Sequence, residues 1–151
     1  MYLSMQHRYA PVHRCTTDAM SKKSRTKGQA GEREFRDFIV ERIPELSGVH
    51  RNYDQSALGG ADLVGLPGIA VEIKRYAKGN VYRMDWWTQA CRSAKQCDLI
   101  PTLAYRFDRT PWTCVVPLEW MAGDPVEHAL ERIALMPAEN WIEEVRKRVC
   151  L

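Results

Sequence analysis

From Ile69 to Lys74, apolar Ile69, Val71 and Ile73 alternate with Ala70, Glu72 and Lys74. A period of two commits such a run to an extended strand with one greasy face and one chemically distinct face, so Glu72 and Lys74 project the same way. The preceding run, Ala61 to Leu66, is also strand-like, and Gly65, Pro67 and Gly68 separate the two in the manner of a tight hairpin. A hairpin centred on Pro67 sets Asp62 directly opposite Glu72, where Cβ atoms on one face lie about 4.5–5.5 Å apart. Two carboxylates that close repel one another unless a cation lies between them. The alternative is a hairpin whose register differs by one residue and whose outer face carries solvated charges.

Ahead of this segment, Thr26 to Ile43 predicts an amphipathic helix, with Phe35, Phe38, Ile39 and Ile43 at helical spacing and Pro44 as the stop. At roughly 100° per residue, Glu32 lies about 45° from the centre of the apolar stripe, Glu34 about 115° and Arg33 about 145°. Glu32 is therefore expected on the flank of the buried face, looking along the sheet, and Glu34 mostly in solvent. An acid in the first turns is also favoured by the helix dipole alone.

At 151 residues the chain is one domain in size, long enough to bury a core without disulfide staples. Five cysteines, Cys15, Cys91, Cys97, Cys114 and Cys150, include no Cys-x-x-Cys pair, and no apolar run at the start resembles a signal peptide or membrane span. The expectation is a reducing cytoplasm, no membrane and no small-molecule cofactor. His7, His13 and Cys15 match no common zinc spacing. The formal charge of +3 is unevenly spread: residues 1–27 hold six basic residues against Asp18, leaving sixteen basic against eighteen acidic elsewhere. Such an arm, leading into a helix, reads as a flexible phosphate-contacting segment or as a plain tail.

Val49 to Tyr53 reads as a short strand, followed by a polar, Gly-rich loop over Asp54 to Gly60. Tyr82 to Cys97 reads as a second helix with Asp85 as its cap, and Gln89, Arg92 and Gln96 share one of its faces. Water is the expected partner of Gln96. Trp86 and Trp87 are adjacent and are not expected to face inward together, which frees one for a contact outside the core. Leu99 to Phe107 and Trp112 to Val116 predict two more strands. Asp124-Pro125 then predicts a helix carrying Val126, Ala129, Leu130, Ile133 and Ala134, and Pro137 opens another with Trp141, Ile142, Val145 and Val149.

Three blocks, Lys27-Gly28-Gln29-Ala30-Gly31-Glu32-Arg33-Glu34, Gly59-Gly60-Ala61-Asp62-Leu63 and Val71-Glu72-Ile73-Lys74, together resemble the PD-(D/E)xK nuclease superfamily. Within it they are most similar to the archaeal-type Holliday junction resolvases and their phage relatives. The resemblance spans Lys27 to Pro117, departing where Ala61 replaces the proline that often precedes the first acid. It implies an α/β, restriction-endonuclease-like core, with a central mixed sheet of about five strands flanked by helices and extra C-terminal helices. The expected division is a basic arm over 1–26, the nuclease core over 27–117 and a helical extension over 118–151. The resemblance further implies a Mg²⁺-dependent endodeoxyribonuclease, with Mn²⁺ as a substitute, acting as a homodimer on branched DNA. Glu32, Asp62, Glu72 and Lys74 take the catalytic positions. Asp62, Glu72 and the Ile73 backbone carbonyl hold the metal, with Glu32 reaching it through water or at a second ion. Lys27, Arg33, Ser56, Arg75, Gln89 and Arg92 are the expected DNA contacts. Two other readings stay open: a nuclease of the same fold for restriction, repair or phage replication, and a DNA-binding module without turnover.

Overall fold

The computed structural model describes residues 18–54 and 60–149. Helix α1 (Asp18–Arg42) and a single turn of 3₁₀ helix, Pro44–Leu46, precede strands β1 (His50–Arg51), β2 (Leu63–Val64) and β3 (Ile69–Tyr76). Helix α2 (Met84–Gln96) crosses to β4 (Ile100–Phe107). Strand β5 (Thr113–Pro117), helix α3 (Leu118–Ala122), strand β6 (Ile133–Pro137) and helix α4 (Ala138–Val149) complete the chain.

The molecule is of the mixed α/β class, and among the described residues its central sheet has four strands in the order β3-β4-β5-β6 rather than five. β3 and β4 run parallel, as the intervening helix requires, and the other two pairings are antiparallel. β1 and β2 form a separate antiparallel pair. Alternation along the strands divides the core. Val71, Ile73, Ala104, Cys114 and Val116 pack with Phe35, Ile39 and Ile43 of α1 and Trp141, Ile142 and Val145 of α4. Leu103, Tyr105, Phe107 and Val115 pack with Trp86, Trp87 and Ala90 of α2. Helices therefore cover both faces, which leaves the β3 edge as the place where polar side chains can gather. Among the described residues no helix is long and apolar enough to cross a membrane.

Several expectations are corrected. α1 runs from Asp18, eight residues ahead of the Thr26 start that the apolar spacing predicts; residues 1–17, including His7, His13 and Cys15, lie outside the described residues. The Asp62–Glu72 register is not formed either. The Asp62 N–H donates to the Val71 carbonyl at 2.9 Å, and Asp62 Oδ2 accepts the Ile73 N–H at 2.6 Å. The carboxylate thus takes an amide that a regular ladder would use, and β2 is laddered to β1 instead, with Arg51 opposite Leu63.

α2 begins after Arg83, which caps it without a side-chain bond, and Asp85 sits in the first turn paired to Arg83. Both tryptophans of α2 are buried: Trp87 donates its indole N–H to the Ala129 carbonyl, and Trp86 is enclosed by Tyr76, Tyr105 and Phe107.

The helix expected over 126–134 is absent. Residues 124–132 are irregular, and β6 follows, pairing Met136 with Cys114 and Leu135 with Val115. Two physical reasons apply. Pro137 disfavours a helical conformation at Met136, and the free edge of β5 has backbone groups to satisfy. The apolar pattern is also used differently, since Val126 packs on the α1 side of the sheet while Ala129 and Ile133 pack on the α2 side. A single helix stripe could not serve both faces. Leu130 is left 52% exposed.

Candidate active site

A cleft of about 600 Å³ opens at the β3 edge and brings together Glu32, Asp62, Glu72, Ile73 and Lys74. Each arrives from a different local cause. Glu32 comes from the flank of the α1 stripe, Asp62 from the bend just before β2, and Glu72 and Lys74 from one face of β3 by strand alternation. The close seating of α1 on β3 depends on Gly31, where a Cβ would stand 2.9 Å from Arg75 Cβ.

The two central acids are deeply enclosed, Asp62 being 5% and Glu72 2% exposed. Glu72 Oε1 accepts a hydrogen bond from Lys74 Nζ at 2.8 Å, and Lys74 also donates to Gln89 Oε1 at 3.0 Å. Glu72 Oε2 is buried with no hydrogen-bond partner. Burial pushes the Glu72 carboxyl above the usual range; Lys74 pulls it down and the Glu32 charge pushes it further up. Glu32 itself is turned toward Arg51, whose Nε lies 2.6 Å from Glu32 Oε2. Among the described residues, no three Asp, Glu, His or Cys side chains stand close enough to cage an ion. The chain's own Arg51 and Lys74 hold two of the acids, Glu32 and Glu72.

Of the expected DNA contacts, Lys27, Arg75, Gln89 and Arg92 line the cleft. Lys27 is tied to Asp108 at 2.8 Å, and Arg75 lies 3.4 Å from Glu34. Arg33 is exposed and does not line the cleft, as its position far from the apolar stripe dictates. Ser56 lies outside the described residues. Glu34 is not mostly in solvent, because Arg75 of β3 and Arg106 of β4 flank it, the latter at 3.2 Å.

Sequence reasoning passed over Arg51, Tyr76 and Ser93, and it assigned Gln96 to water, whereas Tyr76, Ser93 and Gln96 line the cleft. The stripe Gln89-Arg92-Ser93-Gln96 has i, i+3, i+4, i+7 spacing and was a usable signal for all four. No local signal marks Arg51 as the partner of Glu32, nineteen positions away in the chain.

A helix glutamate, a buried aspartate and a Glu-x-Lys strand converging at one sheet edge, with helices on both faces, are the layout of a PD-(D/E)xK nuclease. Residues 23–148 match the model of the family described as "Phage putative PDDEXK endonuclease". The chain belongs to that endonuclease family. No curated protein matches it. Among solved structures it is similar to the Archaeoglobus fulgidus protein Hjc, a Holliday junction resolvase from an archaeal hyperthermophile. That similarity has 16% identity over 76% of this chain and 98% of that one, with a TM-score of 0.44.

Proposed function

We propose that this protein is a divalent-cation-dependent DNA endonuclease that hydrolyses phosphodiesters in four-way junctions. The observation that carries the cation is Glu72: a carboxylate 2% exposed, with one oxygen bound only by Lys74 and the other without a partner, beside a second buried acid. Buried charge of that kind requires compensation. The donors on offer are hard oxygens, which suit Mg²⁺, with Mn²⁺ as a substitute, over softer ions. Asp62, Glu72 and the Ile73 carbonyl would hold the ion, with Glu32 contributing through water or at a second ion once released from Arg51. Bound there, the cation supplies a Lewis acid for the scissile phosphate.

The remaining work falls to side chains. Lys74 Nζ carries the positive charge nearest Glu72 and is steadied by Gln89; it would orient the attacking water and offset charge accumulating on the phosphorane oxygens. Lys27, Arg75 and Arg92 would take the flanking phosphates, fixing register without reading sequence. In-line attack would leave a 5′-phosphate and a 3′-hydroxyl. The three sequence blocks resembling junction resolvases support the substrate. Paired cuts need two sites and one chain carries one, so the proposal includes a homodimer. Free Cys91, Cys97 and Cys114 fit action in a reducing cytoplasm.

The test is to incubate the protein with a four-way junction and with matched linear and flapped duplex, in Mg²⁺ or Ca²⁺, beside Glu72→Gln. Paired nicking of the junction in Mg²⁺, absent in Ca²⁺ and in the variant, is expected. Equal or better cutting of linear or flapped DNA would move the substrate to other DNA. Binding without cleavage of any DNA would leave a non-catalytic module.

A further inference from the structure

We infer that Tyr76 is a stacking platform for an unpaired base beside the scissile phosphate, which makes the substrate a DNA with an unstacked nucleotide at the cut site. This rests on the nuclease reading above and deepens it. Three observations carry it. Tyr76 follows Glu72 and Lys74 in strand alternation, so its ring lies on their face, about 6.6 Å beyond Lys74 along the strand. It lines the same cleft, and it is the aromatic side chain that does so among the described residues. One face of the ring is laid flat on Trp86, with centroids 4.7 Å apart and planes 10° apart, while Tyr76 as a whole is 42% exposed.

A phenol this exposed at the end of a strand ordinarily keeps its rotamer freedom. Here Trp86 is buried against Tyr105 and Phe107, with centroids 6.5 and 6.4 Å away, and cannot retreat. The backbone beyond is confined as well, since Gly79, at φ +149°, sits so tightly on Phe107 that any Cβ would overlap the ring. Tyr76 is thus a π-surface held in place before any ligand arrives, and holding it beforehand removes an entropy cost that binding would otherwise carry. Bases stack on such surfaces with little regard to sequence, because every base has a π-face. In a linear duplex both faces of each base are already covered by neighbours, so the platform has nothing to take. At the centre of a branch, or in a single strand, a face is free.

The cations lining the cleft, Lys27, Lys74, Arg75 and Arg92, attract any nucleic acid backbone alike. Tyr76 adds a term that only unpaired DNA can collect. Discrimination between branched and linear DNA would then come from the ring and general affinity from the basic side chains.

The experiment measures binding in Ca²⁺ of single-stranded, four-way-junction and linear duplex DNA, each carrying 2-aminopurine at successive positions around the cut site. Wild type is compared with Tyr76→Leu, which keeps Trp86 covered without an aromatic face, and with Tyr76→Phe, which restores one. Thermal melts check that the variants are folded. Expected are quenching of 2-aminopurine at one position in wild type and Tyr76→Phe, loss of that quench in Tyr76→Leu, and weaker binding of junction and single strand by about 5- to 150-fold. Duplex affinity stays unchanged. Equal weakening for duplex, or a quench that survives in Tyr76→Leu, overturns the inference. Cleavage in Mg²⁺ is scored separately: a wild type that shows the stacking signature but cuts nothing refutes the nuclease reading alone, and one that cuts junctions regardless of Tyr76 refutes the platform alone.

Discussion

A methyl group on Gly31 would meet Arg75 Cβ at 2.9 Å, closer than packed carbons approach, and the obstacle is the root of a side chain and not its flexible end. α1 would have to lift from β3, and Glu32 is the next residue along. Gly31→Ala is therefore expected to cost about 1–3 kcal/mol by overpacking. It should also lower DNA cleavage by more than the lost folded fraction explains, because the helix carries Glu32 with it. Thermal melts and cleavage rates on one preparation check this; a variant of unchanged stability and activity would mean that the contact relaxes freely. Arg75 illustrates the same closeness from the other side. It packs under Gly31 and pairs with Glu34 and Asp108, so its charge is shared before any phosphate is present.

At the scale of elements, α4 is held partly by rungs along its own surface. Glu144 lies 2.7 Å from Lys147 and 2.8 Å from Arg148, while Arg148 also donates to the Trp120 carbonyl and covers the Trp120 ring. The Arg148 and Lys147 hydrogen bonds hold the Glu144 carboxyl below its usual range. A carboxylate whose folded pKa is depressed stabilises the fold above its ordinary value, about 4.3, and that contribution fades as pH falls through the depressed value. Glu144→Gln should therefore lower stability at neutral pH by under about 1 kcal/mol, as partly exposed pairs do. The difference from wild type should close as acid is added below about pH 4. Denaturant melts of both proteins across pH 3–7 would show it; a gap that persists in acid would point to packing and not charge. The neighbouring β6 shows how an element can override its own periodicity, since its residues give up a helical stripe to complete the edge of β5.

For the whole molecule, the governing fact is that helices cover both sheet faces and leave Glu32, Asp62 and Glu72 lining one cleft at the β3 edge. An assembly holding buried negative charge is stabilised by whatever neutralises it. Ca²⁺ at about 100 times its Kd should add about 2.7 kcal/mol of stability. For a chain of this size that is a rise in Tm on the order of 5–10 °C. The rise should be reversed by a chelator and absent in Glu72→Gln, which removes the partnerless oxygen's charge. A Ca²⁺-induced shift of equal size in that variant would locate the ion elsewhere.

What could be read from the chain alone was what local periodicity enforces. Alternation fixed Glu72 and Lys74 on one face of β3, the 3.6-residue repeat placed Glu32 on the flank of α1, and the Glu-x-Lys strand with its two upstream blocks pointed to the endonuclease family that the match over residues 23–148 establishes. What only the tertiary structure decided depends on partners distant in sequence: Arg51 on Glu32, Arg106 on Glu34, the burial of both Trp86 and Trp87, and the strand that takes Ile133 and Ala134 out of the expected helix. The reason is physical. A repeat tells each side chain which way to face, but which charge, ring or open strand edge waits there is set by the packing of segments that the repeat does not contain.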